Sequence, residues 1–217
     1  MKPKESPASV PTVFSKNRIV LGIGLVIILA LAIYRMGHRQ QPKELPIYGI
    51  VPDFSLTRQN GNTLLKADLL GHPWIADFIF TRCAGQCPAM STTMAGLQSE
   101  LRSLEDLRFV SFSVDPKWDT PAVLAKYSQR FGADPKRWTF VTGPKDDVFR
   151  ISRQGFKLGV DENPPDAPNI AVEPIMHSSS LVLVDAKGKI RGYYDGTDPE
   201  ALTRLRTDVL RISGPQN

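Results

Sequence analysis

From residue 51 onward, apolar and polar positions fall into blocks whose period changes, and each change marks the edge of an element. "DFSLTRQNGNTLL" is two short β-type runs around Asn60-Gly61, the dipeptide favoured in tight hairpin turns. "PWIADFIF", residues 73–80, is almost continuously apolar, the mark of a strand buried on both faces. Pro88 then opens a stretch in which Leu97, Leu101 and Leu104 recur at helical spacing, and proline suits a helix's first turn.

The alternation continues to the end of the chain. "LRFVSFSVD" reads as a second strand. Asp119 or Thr120 can cap the helix "PAVLAKYSQRF", with Pro121 just inside its start. "WTFVTG" is a third strand and "PKDDVFRISRQGF" a helix. "SSLVLVD" and "IRGYY" join across Ala186-Lys187-Gly188-Lys189 as a hairpin. "DPEALTRLRTDVLRI" closes as an amphipathic helix with Leu202, Leu205, Val209 and Ile212 on one face. This order predicts an α/β class domain, a thioredoxin-like fold with an N-terminal β-hairpin extension. A loop between its first core strand and first core helix would then sit where α/β sheets place their sites.

Ahead of this domain the pattern is different. The run "IVLGIGLVIILALAIY", residues 19–34, carries no charge and lies between Arg18 and Arg35. As a helix it covers about 24 Å at 1.5 Å per residue, slightly short of a bilayer core of roughly 30 Å. Snorkelling arginines absorb the difference. Ala30-Leu31-Ala32 resembles a signal-peptidase site, but the cut would fall inside the apolar run. The expected organisation is a cytoplasmic N-terminal segment over 1–18, a single transmembrane helix over 19–36, a tether over 37–50 and the domain over 51–217. Four basic residues precede the run, and the positive-inside rule then leaves the domain on the extracytoplasmic side of the cytoplasmic membrane.

Charge supports that division. Residues 1–44 hold seven of the 27 Lys/Arg and two of the 22 Asp/Glu, which leaves 20 of each for the remainder. The basicity therefore belongs to the N-terminal segment. A neutral domain argues against a nucleic-acid partner, which asks for a basic face.

The chain has two cysteines, Cys83 and Cys87, in "FTRCAGQCPAM" between that first core strand and helix. A disulfide would close a very small loop and contribute little as a staple, and a domain of this size has core enough without it. As a redox couple the pair is plausible. Cys87 falls in the first helical turn, where free N–H groups and the helix dipole favour a thiolate, although the spacing exceeds the two residues of dithiol-exchange motifs. As a metal claw, two thiolates suit Cu(I) or Zn(II), and zinc usually asks for four protein ligands. Of three histidines, His38 lies in the tether and His72 in a turn. His177, in "EPIMHSSSLVLVD", precedes a strand whose entry a thioredoxin-like sheet sets beside the cysteine loop.

"DFIFTRC…CP", "SVDPKWDTPAVLAKYSQRFGADPKRWTFVTG" and "HSSSLVLVDAKGKIRGYYDG" together resemble the Sco/SenC family, in that family's order, over about residues 47–213. The resemblance implies a thioredoxin-like metallochaperone that binds one copper ion, as Cu(I) or Cu(II), through Cys83, Cys87 and His177. Its implied role is to deliver copper to the binuclear copper centre of cytochrome c oxidase, with the copper-accepting subunit as partner alongside a copper donor and a thiol reductant. Two departures stand out: Ala84-Gly85-Gln86 fills a gap where relatives often begin with proline, and Met176 stands where many carry aspartate.

Other readings remain open. The same cysteines, cycling through a Cys83–Cys87 disulfide, would serve a thiol-disulfide reductase, which gains little from His177. A peroxidase-like enzyme would need Thr and Arg around one activated cysteine, and Thr81-Arg82-Cys83 supplies them in the wrong arrangement. A copper sensor or store has the same signature. Met90 and Met94 read as core, whereas Met176 adjoins His177 and is a candidate soft neighbour of the metal. Asp77 lies inside an apolar strand, where it either manages thiol protons or turns to a polar face. Asp115 and Asp119 read most simply as turn and cap residues, with partner docking as the alternative.

Overall fold

The computed structural model describes residues 27–30, 44–158, 161–162, 175–176 and 179–214. The chain divides into a unit over Met1–Glu44 and a compact unit over Leu45–Asn217. The transmembrane helix expected over 19–36 lies outside the described residues except at 27–30, which are helical with Ile27, Ile28 and Leu29 exposed. Among the described residues no helix is long and apolar enough to cross a membrane.

The tether is shorter than its polar composition suggests. Tyr48 donates its N–H to the Ile190 carbonyl at 2.9 Å, and β1 (Gly49–Ile50) forms an edge strand, so residues 45–50 belong to the folded unit. The expected hairpin follows as β2 (Ser55–Arg58) and β3 (Thr63–Leu65), turned through Gly61 at φ +85°, a conformation glycine adopts without strain. Then come β4 (Trp74–Ile79), α1 (Gln86–Glu100), β5 (Arg108–Ser113), α2 (Pro121–Arg130), β6 (Trp138–Thr142) and α3 (Lys145–Arg150). A small two-stranded sheet, β7 (Asp161–Glu162) with β8 (Ile175–Met176), interrupts the pattern before β9 (Ser180–Val184), β10 (Lys189–Asp195) and α4 (Pro199–Ser213).

One eight-stranded sheet runs β1-β10-β9-β4-β5-β6-β2-β3. Its centre has β4, β5 and β6 parallel, with β9 antiparallel to β4 and β10 antiparallel to β9. This is a mixed α/β, thioredoxin-like arrangement, and the N-terminal hairpin extends it beside β6. Every residue of β4 is buried, as its unbroken apolar run requires of a central strand.

Alternation assigns the two faces of β4. Trp74 and Phe78 meet Phe112 and Phe156 on one face, with Phe78 and Phe112 stacked at 5.1 Å. Such a pair adds about 0.5–1.5 kcal/mol beyond the area it buries. Ile75, Asp77 and Ile79 take the other face. There Ser111 lies opposite Asp77 in the β5 register and accepts the Trp138 indole N–H at 2.9 Å. Helices close that side, with Ser91 of α1 bonded to Tyr127 of α2 at 3.0 Å and Glu100 of α1 paired with Arg206 of α4. Asp77 is fully buried. The polar-face reading of this residue is therefore overturned, because a strand covered on both sides has no solvated face for alternation to reach.

Candidate metal centre

The cysteine loop leaves the carboxyl end of β4, and Cys87 enters the first turn of α1 behind Gly85 at the N-cap. Both cysteines are in the reduced, unbridged form and buried, Cys83 at 5% exposure and Cys87 at 0%. The four-residue spacing folds one onto the other: the Cys87 backbone N–H donates to Cys83 Sγ at 3.4 Å, while the Cys83 N–H donates to the Phe80 carbonyl at 3.2 Å. Met90 and Met94 lie behind them in the core, fully buried.

The electrostatics correct one expectation. The helix amino terminus was expected to favour a Cys87 thiolate; instead its pKa is pushed far above the ordinary value. Hydrogen bonding with the Cys83 side chain is the largest cause and burial the next, and the negative charge on Asp77 adds to both. The dipole effect is worth at most a few kcal/mol, and burial beside a second sulfur outweighs it. Cys87 therefore holds its proton in the apo pair, and a cation bound by both sulfurs would displace it.

The loop is held from outside by the turn that follows β5. Asp119, fully buried, accepts the Thr81 N–H at 3.1 Å, the Thr81 hydroxyl at 2.5 Å and the Ser113 hydroxyl at 2.6 Å. Arg82 donates through Nε and Nη2 to Asp115 Oδ2 at 3.2 and 2.6 Å. The helix cap falls to Thr120, whose hydroxyl accepts the Val123 N–H at 3.4 Å. Asp115 and Asp119 thus hold the cysteine loop as well as shaping their own turn. The carboxylate beside a cap residue in "WDTP" was the available signal, but the contact spans 38 residues of sequence.

Among the described residues no third His, Cys, Asp or Glu joins the thiols in a metal-holding cluster. His177 lies outside the described residues, as does the side chain of Met176, although the Met176 backbone ends β8. The chain resumes at Ser179, which accepts the Gly196 N–H at 2.9 Å. The Gly196 Cα hydrogen position points at both this carbonyl and Met90, one turn of α1 beyond Cys87: a Cβ there would lie 3.2 Å from one and 3.6 Å from the other. Thr93 of α1 donates to the Gly196 carbonyl at 3.0 Å. The entry to β9 therefore runs beside α1. His72 sits away from the cysteines, its Nδ1 3.5 Å from Asp106.

Comparison with known proteins matches residues 43–209 to the family model described as SCO1/SenC. The SCO1 protein homolog of Bacillus subtilis (strain 168) is 33% identical over 176 residues, covering 80% of this chain and 88% of that one. A protein of Stutzerimonas stutzeri, named as a candidate copper-binding protein, is 30% identical over 154 residues, 69% of this chain and 71% of that one. Among solved structures, BsSco is reported with a disulfide switch and as a member of the Sco family of cytochrome c oxidase assembly proteins. It superposes with a TM-score of 0.68 at 31% identity over 82% of this chain and 100% of that one.

Proposed function

The chain belongs to the SCO1/SenC family, and from that premise we propose that it is a copper chaperone for cytochrome c oxidase assembly, binding one copper ion through Cys83, Cys87 and His177. The observation that carries the reading is the pair of unbridged cysteines folded onto each other where β4 meets α1. Two soft sulfurs fit Cu(I), and one imidazole completes a low-coordinate set that this ion accepts.

Copper here is cargo. Loading replaces the Cys87 proton, and any on Cys83, by one Cu(I), and the hydrogen bond and burial that hold the Cys87 proton make loading sensitive to pH. Delivery is ligand exchange without change of oxidation state: donors of the copper-accepting oxidase subunit enter the open coordination shell, and the displaced protons return to the sulfurs. Oxidation to a Cys83–Cys87 disulfide, with two electrons and two protons passing to a protein disulfide, removes both donors and stops loading. Asp77, through the field it exerts at Cys87, and Met176, next to His177 in sequence, are the neighbours that tune the centre. Residues 19–36 anchor the chain in the cytoplasmic membrane in a single pass, with 1–18 cytoplasmic and the thioredoxin-like domain on the extracytoplasmic side.

A second reading, thiol-disulfide reductase toward the acceptor's cysteines, is favoured by the same unbridged cysteine pair and by the disulfide switch reported for the similar BsSco. X-ray absorption of the Cu(I)-loaded chain separates the two. Copper delivery expects two sulfur scatterers and one imidazole shell that disappears in His177→Ala. A spectrum with sulfur alone, identical in the variant, would leave the dithiol as a reductase pair.

A further inference from the structure

Next to the cysteine loop stands a side chain that neither the core nor the metal donors use. Trp118 is 53% exposed, the one tryptophan on the surface while Trp74 and Trp138 are buried. It is nonetheless held in place. Its backbone N–H donates to the Asp115 carbonyl at 3.1 Å, and the Arg82 guanidinium lies 4.8 Å from the centroid of its ring. Arg82 is fixed by its two bonds to Asp115 and is joined by one peptide bond to Cys83. On the other side of Trp118, Asp119 grips Thr81. The turn and the cysteine loop are therefore fastened together on both sides of the exposed indole.

An indole left in water forgoes the gain that burying it would bring, and a rigid tryptophan beside an arginine has the composition of an interface hot spot. We propose that Trp118 and Arg82 form the docking platform on which the metal-accepting protein seats itself to reach Cys83 and Cys87. This rests on the copper-delivery reading given above. Position selects the occupant: the ring packs on Arg82, the residue directly before Cys83, so a protein bringing its ligands to that sulfur is the partner this platform serves.

Charge describes the occupant further. The acid of the Arg82–Asp115 pair is turned inward, its side chain 9% exposed against 40% for the arginine. Lys117 is exposed beside Trp118. The outward face is thus aromatic and cationic. Its complement is a soft-ligand metal site flanked by an apolar socket for the indole and by carboxylates facing Lys117 and Arg82.

The test uses the full-length Cu(I)-loaded chain in detergent, mixed with the soluble copper-binding domain of the oxidase subunit from the same organism, and in parallel with bathocuproine disulfonate. The chelator needs no docking surface. Trp118→Ala is expected to slow transfer to the domain by about tenfold or more at sub-saturating concentration. Cu(I) affinity and loss to the chelator should stay within about twofold of the parent, because Trp118 supplies no donor. Lys117→Glu is expected to slow transfer most at low salt. Equal transfer by parent and Trp118→Ala overturns the platform. So does an equal slowing toward domain and chelator, which would mark a change in the metal centre itself. Unchanged transfer combined with loss of a parent dimer would hand the surface to a second copy of the chain, again against the proposal. A parent that yields copper to the chelator but none to the domain overturns the delivery reading and the platform with it, so the two failures are read apart.

Discussion

Replacing Asp119 by alanine removes the acceptor of three hydrogen bonds in one fully buried place, those from the Thr81 N–H, the Thr81 hydroxyl and the Ser113 hydroxyl. Hydrogen bonds to a charged group are worth about 1.5–3 kcal/mol each, so the gross loss approaches roughly 4.5–9 kcal/mol. Against this, the variant no longer has to bury a carboxylate, an effective cost of several kcal/mol. A net destabilisation of about 3 kcal/mol follows, in the range for breaking a buried network. Urea denaturation followed by circular dichroism reads it: with an m-value near the upper end of the usual range, about 2–3 kcal/mol/M, the midpoint falls by roughly 1–1.5 M. Asp119→Asn keeps one acceptor oxygen and should lose about half as much. Burial pushes the Asp119 carboxyl above its ordinary value, and the bonds from Ser113 and Thr81 pull it back only partly. A folded value above the unfolded one means that the folded state holds the proton more tightly. This contribution is complete below the unfolded value near 4 and is lost as pH rises through the folded one. Since asparagine does not titrate, the stability of the parent relative to Asp119→Asn should decline as pH rises above about 4. A midpoint shift below about 0.3 M for Asp119→Ala, or a relative stability that climbs over that interval, would refute the buried-latch account.

Copper loading should weaken on acidification, because burial and hydrogen bonding to Cys83 hold the Cys87 thiol protonated. Each proton displaced per ion adds about tenfold in affinity per pH unit, so competition with a proton-insensitive chelator should show a slope of at least about tenfold per unit below neutrality. A flat profile would contradict displacement of thiol protons. Phe112 meets Phe54, Trp74, Phe78 and Phe156 on the face of the sheet away from the cysteines. Phe112→Ala should cost about 3–5 kcal/mol in the same denaturation assay while leaving the Cu(I) affinity of the folded fraction unchanged. A matching loss of affinity would show that the two faces are coupled.

Features set by short-range pattern were legible in the sequence. The all-buried β4, the Asn60-Gly61 hairpin, the buried Met90 and Met94, and the Leu205 and Val209 face of α4 all follow from local period and turn chemistry. Features set by distant contacts were not. Asp119 reads as a cap when only its neighbours are visible, and becomes a latch because Thr81, 38 residues away, folds against it. Of the two readings of Asp77, the polar-face one fails because alternation along one strand sets which side a residue takes and says nothing of what covers that side. Cys87 was placed correctly in its helical turn, yet its protonation follows from the burial and the second sulfur that tertiary packing adds. The β7–β8 pair and the early start of the folded unit at Leu45 rest on two-residue strands, too short to show a period.

The central claim is that Cys83, Cys87 and His177 together bind one copper ion. An anaerobic Cu(I) competition titration of the reduced chain, beside Cys83→Ser and His177→Ala, tests it most directly. One tight equivalent is expected for the parent, near-complete loss for Cys83→Ser, and for His177→Ala a weakening of at least about 10–100-fold, the cost of losing a group that merely supports a ligand. Parent binding no tighter than that of a generic dithiol, or identical binding by parent and His177→Ala, would contradict it.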